Sequence, residues 1–548
     1  MVNFRPAAIF FSFFMPLAIV YSPVLYFNYT FHDDTFFWFM SDEHGQHYFF
    51  RDVFYRARYG TWALQNIEAL FIHHVSDLKF LRLLGILALS ATACLCFQQM
   101  LRLSWHGLHA FLATLAIFLL PGAHDFVFWA IASVLSLSAF FACLAFVKIQ
   151  KEKHLLGPVC LLLLAISIYQ TWAMFFWVMV GTFVLFSDIS QPAFKKPFTR
   201  CMAAGITSIV IYAIIILGMK CFYTHFNPDA MLDLGPYNPY KITSHWFEKI
   251  QWFFGEPMLN ALNLWNIFPN TLVAIMVSGF IAMTVLRVGL TSPKQLKKIG
   301  IIIVLIFLAF LPNLVSAANE PSYRCLFPLS SLIWILVLWA GKQWIGPLPA
   351  NASKWTMTIL LSLAVLHGGI KAFHDVLYYR VLPSYIEWNA FRSMAAAVPF
   401  KDTDMLLINL PSHIPGIERY DEYGVLSIHY LNDVYLLLFA ALHETNPRPV
   451  MPLLTLKFPK IRTVYAFNQF CFRTLPNGKV IYKEMNKPQN YRLMSPSKVA
   501  REVGWRNTIN TYTIDKDTAL PSGLFILDLR NLFSKKNYAD IINGVLIR

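Results

Sequence analysis

Eleven apolar segments within the first 371 residues constrain the fold more than any other feature of the sequence. A helix of about 20 mostly apolar residues spans the roughly 30 Å hydrocarbon core of a bilayer. Because the chain is 57% hydrophobic and only 14% charged, we predict an all-α polytopic membrane protein with about 11 transmembrane helices. The segments are residues 7–27, 81–98, 108–124, 127–147, 155–169, 172–187, 201–220, 267–286, 300–315, 325–341 and 355–371.

The apolar run from Leu155 to Phe186 is the ambiguous part of this pattern. It is either two short spans that turn at the sequence YQTW or one tilted span. The side of the membrane that holds the carboxyl terminus depends on this choice. The first segment, in contrast, is too long for the core of a signal peptide and is followed by no small-residue cleavage site, so it is predicted to be a retained helix.

The charged residues of the loops predict the orientation of the chain. With the amino terminus in the cytoplasm, the loops on that side hold fourteen Lys and Arg residues and two acidic residues, and the opposite loops hold 13 of the 15 acidic residues before position 373. Positively charged loops stay on the cytoplasmic side, so the carboxyl terminus is predicted to be exported. The basic residues form no patch with interleaved aromatic residues, and nucleic-acid binding is therefore not predicted.

The sequence changes in character after residue 372, where no further long apolar run occurs. The stretches DMLLINLP, TVYAFNQFCF, KVIYKEM and LFILDL are predicted to be short strands, the middle two as a hairpin, and residues 423–444 a buried helix. We therefore predict a transmembrane domain over residues 1–372, with its first outer loop at 28–80, and a small α+β C-terminal exported domain over residues 373–548.

The first outer loop opens with an acid pair, Asp33 and Asp34, which follows His32 about six residues after the first apolar segment. Aromatic-rich stretches farther along this loop predict helices that lie in the membrane interface. The pair fits two interpretations: a solvated helix cap, or a functional group at the level of the lipid headgroups. The sequence alone leaves both open.

Four motifs carry a resemblance to a known family: HDD (32–34), YRARYGTW (55–62), SIYQTW (167–172) and NEPSYRCLFPL (319–329). With the predicted layout, they resemble the GT-C superfamily of membrane glycosyltransferases over about 370 residues. The layout is most similar to bacterial enzymes that transfer glucose or another hexose from a polyprenyl phosphate to O-antigen or related surface polysaccharide. The resemblance implies the bacterial inner membrane, with a periplasmic carboxyl-terminal domain.

The resemblance also implies roles for individual residues. Asp33 or Asp34 would take the proton of the acceptor hydroxyl, with Asp33 slightly favoured because it is nearer to the span. Three arginines, Arg324, Arg58 and Arg56, would bind the lipid phosphate. The remaining substrate contacts are expected from His32, Glu320, Tyr169 and Gln170.

Each of these residues also has a purely structural interpretation. Arg56 and Arg58 fit snorkelling to lipid headgroups, Arg324 fits an ion pair with Glu320, and Tyr169 and Gln170 fit a simple turn. Some members of the superfamily use a divalent metal, and Mg²⁺ or Mn²⁺ ligand types occur at Asp42, Glu43, His44 and His47. The same four residues also fit an amphipathic surface, and no metal ligand is assigned.

Three other functions stay open at the level of sequence. A polysaccharide polymerase would also use a lipid-linked donor but would transfer lipid-linked repeat units. A flippase or transporter of lipid-linked glycans would be expected to show an internal repeat with broken midplane segments, and no such repeat is recognisable. A non-catalytic assembly protein would use its exported tail to bind polysaccharide.

Overall fold

The computed structural model describes residues 6–31, 34, 56–226, 241–267, 270–289, 292–319, 322–385 and 388–389, and six strands farther along the chain. These residues form two compact units, one that holds the helices up to Val381 and one that holds the strands. The predicted helix at 423–444 lies outside the described residues. The predicted domain boundary after residue 372 and the exported position of the tail stay predictions.

The first unit consists of helices, several of which begin with a proline at the first helical positions, where its missing N–H costs no hydrogen bond. The helices are α1 (Pro6–Val20), α2 (Ser22–Tyr26), α3 (Tyr59–Glu68), α4 (Leu78–Arg102), α5 (Gly107–Ile117), α6 (Pro121–Phe128), α7 (Ala130–Ser133), α8 (Leu137–Lys151), α9 (Leu156–Ile168), α10 (Gln170–Ala173), α11 (Phe175–Phe186), α12 (Pro192–Phe226), α13 (Trp246–Leu262), α14 (Thr271–Gly289), α15 (Pro293–Ala309), α16 (Leu311–Val315), α17 (Tyr323–Ile345) and α18 (Ala350–Val376).

Each of the eleven predicted segments overlaps one or more of these helices. Within the described ranges, six helices are long and apolar enough to cross a membrane, or seven if α5 and α6, which meet at 66°, form one bent span. Helices α1 and α9 and the region Gln170–Phe186 are apolar but shorter. A helical membrane protein is therefore confirmed for the part of the chain up to Val381, whereas the count of about 11 spans stays a prediction.

A single extended residue interrupts one predicted span and ends another. Trp129, at φ −97° and ψ 105°, separates α6 from α7, and Tyr169, at φ −153° and ψ 109°, separates α9 from α10. The run 155–186 thus contains separate helices rather than one continuous helix. A break of this kind leaves backbone N–H groups at the start of the next helix without intrahelical partners.

Close helix packing brings the start of α17 against α6. A Cβ atom added to Gly122 would lie 2.6 Å from the carbonyl oxygen of Tyr323 and 2.6 Å from Phe327 Cβ, so only glycine permits this approach. Beyond it, the ring of Phe327 stacks on Trp172 at 4.3 Å and on Phe175 at 5.3 Å between centroids. The packing therefore places the start of α17 beside the break at Tyr169.

The second unit contains two three-stranded sheets. Parallel strands in the order β2-β1-β6 form one, and antiparallel strands in the order β3-β4-β5 form the other. The predicted strand TVYAFNQFCF is corrected here: its first residues belong to β2 and its last to β3, and only β3 pairs with β4 as a hairpin. The strands are β1 (Asp404–Asn409), β2 (Ile461–Ala466), β3 (Phe470–Thr474), β4 (Val480–Glu484), β5 (Thr511–Ile514) and β6 (Leu524–Asp528).

Candidate functional site

Asp34 is the buried centre of a hydrogen-bonded turn. Its backbone N–H donates to the carbonyl of Phe31 (3.0 Å), and its Oδ2 accepts from the N–H of Phe31 (3.0 Å). Its Oδ1 accepts from the N–H of Ile131 (2.9 Å), 97 positions away. Because the side chain of Trp129 does not cap α7, Asp34 supplies that cap. The side chain is fully buried, so the interpretation of Asp34 as a solvated cap is wrong.

Arg82 neutralises Asp34 in the protein interior. Its Nη2 lies 3.1 Å from Asp34 Oδ2 and donates to Tyr29 O (2.8 Å), and its Nε donates to Phe128 O (3.1 Å). The guanidinium also lies 3.6 Å from the centroid of the Tyr29 ring. Burial raises the pKa of Asp34, and the nearby Arg82 and the backbone N–H donors oppose that shift.

Sequence reasoning assigned no role to Arg82. A signal was present, since Arg82 falls inside the predicted segment 81–98, and an ionisable residue in a span is costly unless it is paired. The sequence could not name its partner, because Asp34 lies 48 positions away.

A second group of contacts joins the motif at 55–62 to the helix break at Tyr169. The guanidinium carbon of Arg58 lies 4.8 Å from the centroid of the Tyr169 ring, a cation–π arrangement. Gln170 Nε2 donates to Ala57 O (2.9 Å), and the hydroxyl of Tyr212 donates to the same oxygen. Ala57 adopts a left-handed conformation, φ 57°, which is unfavourable for a residue with a side chain. The two hydrogen bonds hold this conformation and thereby position Arg58.

Arg324 lies at the start of α17 and adjoins both groups. Its guanidinium carbon is 5.3 Å from the centroid of the Trp129 ring, and its carbonyl accepts a hydrogen bond from Trp172 Nε1 (2.8 Å). The hydroxyl of Tyr169 lies 3.5 Å from the Sγ of the next residue, Cys325. Three motifs that are distant in sequence, at 55–62, 167–172 and 319–329, therefore meet at one place.

Trp129 connects this cluster to the turn of Asp34. Its ring packs against that of Phe31 at 6.0 Å between centroids, and two residues later the N–H of Ile131 binds Asp34. The structure therefore brings together Asp34, Arg58, Tyr169, Gln170 and Arg324 through direct contacts and shared neighbours. Arg56, two positions before Arg58 in the sequence, is half-buried.

The loop that precedes Arg324 is anchored by a helix that sequence reasoning did not predict. Lys249 on α13 donates through Nζ to Ala318 O (2.5 Å) and Asn319 Oδ1 (2.8 Å). Burial lowers the pKa of Lys249 to about 8. The backbone of residues 241–243 also pairs with that of 315–317. These contacts fix the approach of the chain to Arg324.

Several predicted site residues lie outside the described residues: His32, Asp33 and Glu320, and the metal-ligand types Asp42, Glu43, His44 and His47. Across the part of the chain that the structure does describe, no three His, Cys, Asp or Glu side chains are grouped as metal ligands. The role of a divalent metal stays a prediction.

Comparison with known families gives one match, to a family model described as Glucosyl transferase GtrII, over residues 42–340. This match covers more than half of the chain. The chain belongs to the GtrII glucosyl transferase family. No curated protein matches the chain.

Membership of the GtrII family confirms the predicted resemblance to membrane glycosyltransferases of the O-antigen modification type. The region matched to GtrII includes Arg56, Arg58, Tyr169, Gln170 and Arg324, and it begins after the acid pair. It also ends before α18 and the strands. The GT-C architecture itself stays a prediction for this GtrII protein.

Proposed function

We propose that this GtrII-family protein transfers glucose, or another hexose, from a polyprenyl-phosphate donor to a surface polysaccharide on the periplasmic side of the bacterial inner membrane. The observation that carries the proposal is the convergence of Arg58 and Arg324 on one aromatic cluster beside the turn of Asp34. Family membership supports sugar transfer, and the convergence supports a lipid phosphate as the leaving group.

The two arginines suit the leaving group of this reaction. Arg58 lies over Tyr169, and the hydroxyl of the same tyrosine contacts the residue that follows Arg324. A guanidinium presents a planar fork of donors that matches two phosphate oxygens. We assign the donor phosphate to Arg324 and Arg58, with Arg56 as a further contact, and the remaining polar contacts with the substrates to His32, Glu320, Tyr169 and Gln170.

The two residues of the acid pair, Asp33 and Asp34, are given different roles. Both oxygens of Asp34 are already occupied by Arg82 and by backbone N–H groups, so an acceptor hydroxyl would have to displace them. We therefore assign Asp34 to hold the turn and Asp33 to act as the general base. Asp33 would take the proton of the acceptor hydroxyl while the hydroxyl oxygen bonds to sugar C1. The bond between C1 and the phosphate oxygen would break, and its electron pair would stay on the phosphate.

The test uses purified protein in lipid nanodiscs with polyprenyl-phosphate glucose, galactose and mannose, and with unmodified surface polysaccharides as acceptors. We expect release of free polyprenyl phosphate, with the sugar recovered on the polysaccharide. Transfer of whole repeat units from a lipid-linked oligosaccharide would indicate a polymerase. Movement of the intact lipid across the bilayer without release would indicate a flippase.

A conservative variant tests the phosphate contact. Arg324→Lys keeps the charge but loses the fork, so donor affinity should fall by about tenfold or more. Arg287→Lys is the matched control, since Arg287 also lies over a tryptophan ring, that of Trp344 at 4.3 Å, but belongs to a predicted cytoplasmic loop. Equal donor affinity in the two variants would contradict the assignment.

A further inference from the structure

Helix α3 buries a face of three polar side chains, Thr61, Gln65 and Glu68. Spacings of four and three positions place them on one side of the helix. The hydroxyl of Thr61 donates to the carbonyl of Ile168, the residue before Tyr169, and Gln65 Nε2 donates to Ile131 O (3.2 Å). Since the N–H of Ile131 binds Asp34, this polar face of α3 borders the candidate site.

Three acceptor atoms of the polar face, on Gln65 and Glu68, lack partners among the residues that the structure describes. Glu68 is 8% exposed and Gln65 is 3% exposed, and within the described part of the chain Oε1 and Oε2 of Glu68 and Oε1 of Gln65 accept no hydrogen bond. Burial raises the pKa of the Glu68 carboxyl well above its ordinary range. Buried polar groups are nearly always paired, so three unpaired acceptors within one turn of helix indicate that a ligand supplies the donors.

The position of the face on α3 points to the sugar of the lipid donor. Arg58, assigned above to the donor phosphate, directly precedes α3, and Gln65 follows it by about 10 Å along the helix axis. A hexose joined to a phosphate offers hydroxyl donors beside the phosphate charge, and helical side chains tilt toward the N-terminus, which brings the Gln65 side chain closer to Arg58 than the rise along the axis. Its oxygens would also accept the proton of a neutral Glu68 carboxyl.

We propose that Gln65 and Glu68 bind hydroxyl groups of the donor's glucosyl unit. This inference rests on the proposed function and deepens it, because it assigns the sugar to α3 and leaves the phosphate to the arginines. Gln65 and Glu68 are then specificity residues, and their loss removes recognition of the sugar without removing recognition of the lipid phosphate.

The experiment compares two probes, polyprenyl-phosphate glucose and polyprenyl phosphate without sugar, by their affinity for the full-length protein in nanodiscs. The wild-type protein should bind the glucosyl lipid more tightly, and Glu68→Met and Gln65→Met should each reduce this preference by about tenfold. Their affinity for the bare lipid phosphate should be unchanged. Asn66→Met is the matched control, because the Asn66 amide bonds to Trp62 O of its own helix (2.6 Å); its preference should equal that of the wild type.

Glu68→Gln tests the hydrogen bonding itself, since a neutral amide of nearly the same shape should keep most of the preference that the Met variant loses. The inference is overturned if the wild type binds both lipids with equal affinity or if the Met variants keep the wild-type preference. It is also overturned if the Met variants lose affinity for both lipids to the same extent. A wild type that binds neither lipid would instead show that the proposed donor is wrong.

Discussion

The turn at Phe31–Asp34 and the helix α3 each bury a carboxyl group, and the fold treats the two differently. Asp34 has a partner for both oxygens: the Arg82 guanidinium and two backbone N–H groups. For Glu68, no partner of either oxygen occurs among the described residues. The contrast separates a charge that serves the architecture, which the protein pairs internally, from an acceptor that is left for a ligand.

The largest expected effect comes from removing the partner of Asp34. Arg82→Met would leave a buried carboxylate without its counter-ion, which lowers the free energy of unfolding by about 3–5 kcal/mol. The measurement is the thermal midpoint and the monodisperse fraction in detergent.

Arg102→Met is the control for Arg82→Met, because Arg102 lies at the exposed end of the same helix, α4. The double variant Arg82→Met with Asp34→Asn should recover part of the loss, since neither charge is then buried alone. An Arg82→Met protein as stable as Arg102→Met would show that the pair does not anchor the turn.

The second-largest effect is an increase in the free energy of unfolding. Glu68→Met removes a buried carboxyl that has no partner in the described part of the chain, so the free energy of unfolding should rise by about 1–3 kcal/mol. The comparison is with Glu152→Met, since Glu152 is partly exposed and pairs with Lys148 on the surface (3.2 Å); that change should be close to zero. A destabilised Glu68→Met protein would mean that the fold, not a ligand, uses this group.

The smallest effect is a pH dependence that belongs to Glu68. Its pKa in the folded protein is raised, so the folded state binds the proton more tightly than the unfolded state does. Its contribution to stability is therefore full below the unfolded value, about 4.3, and is lost as pH rises through the folded pKa. The thermal midpoint of the wild type relative to Glu68→Gln should fall as the pH rises above about 4.3. A difference that does not change with pH would argue against a raised pKa.

The sequence predicted the parts of the site that short motifs mark. Arg58, Tyr169, Gln170 and Arg324 were each expected to bind substrate, and the structure gathers them around one aromatic cluster. Apolar length likewise predicted helices in the eleven segments, although the number of spans stays a prediction. Each of these signals is contained in a stretch of a few residues, and the substrate contacts of the four residues stay predictions.

Long-range pairing limited what the sequence could predict. Arg82 and Asp34 pair although 48 positions separate them in the sequence. The extended residue Trp129 leaves the N–H of Ile131 free to bind Asp34, but Trp129 lies inside an apolar run with no Gly or Pro beside it. The face of α3 that is buried is decided by its packing against Ile131 and Ile168, so the burial of Glu68 could not be read from its polar neighbours.

The most direct test of the account is the turnover of Asp33→Asn with polyprenyl-phosphate glucose, measured beside its affinity for the same lipid. The substitution keeps the shape of the side chain and removes its basicity. We predict a folded protein that binds the donor as the wild type does but transfers sugar about 10²- to 10⁴-fold more slowly. Asp34→Asn, in contrast, should lose stability first. Wild-type turnover in Asp33→Asn would contradict the account, because the acid pair would then have no part in the chemistry.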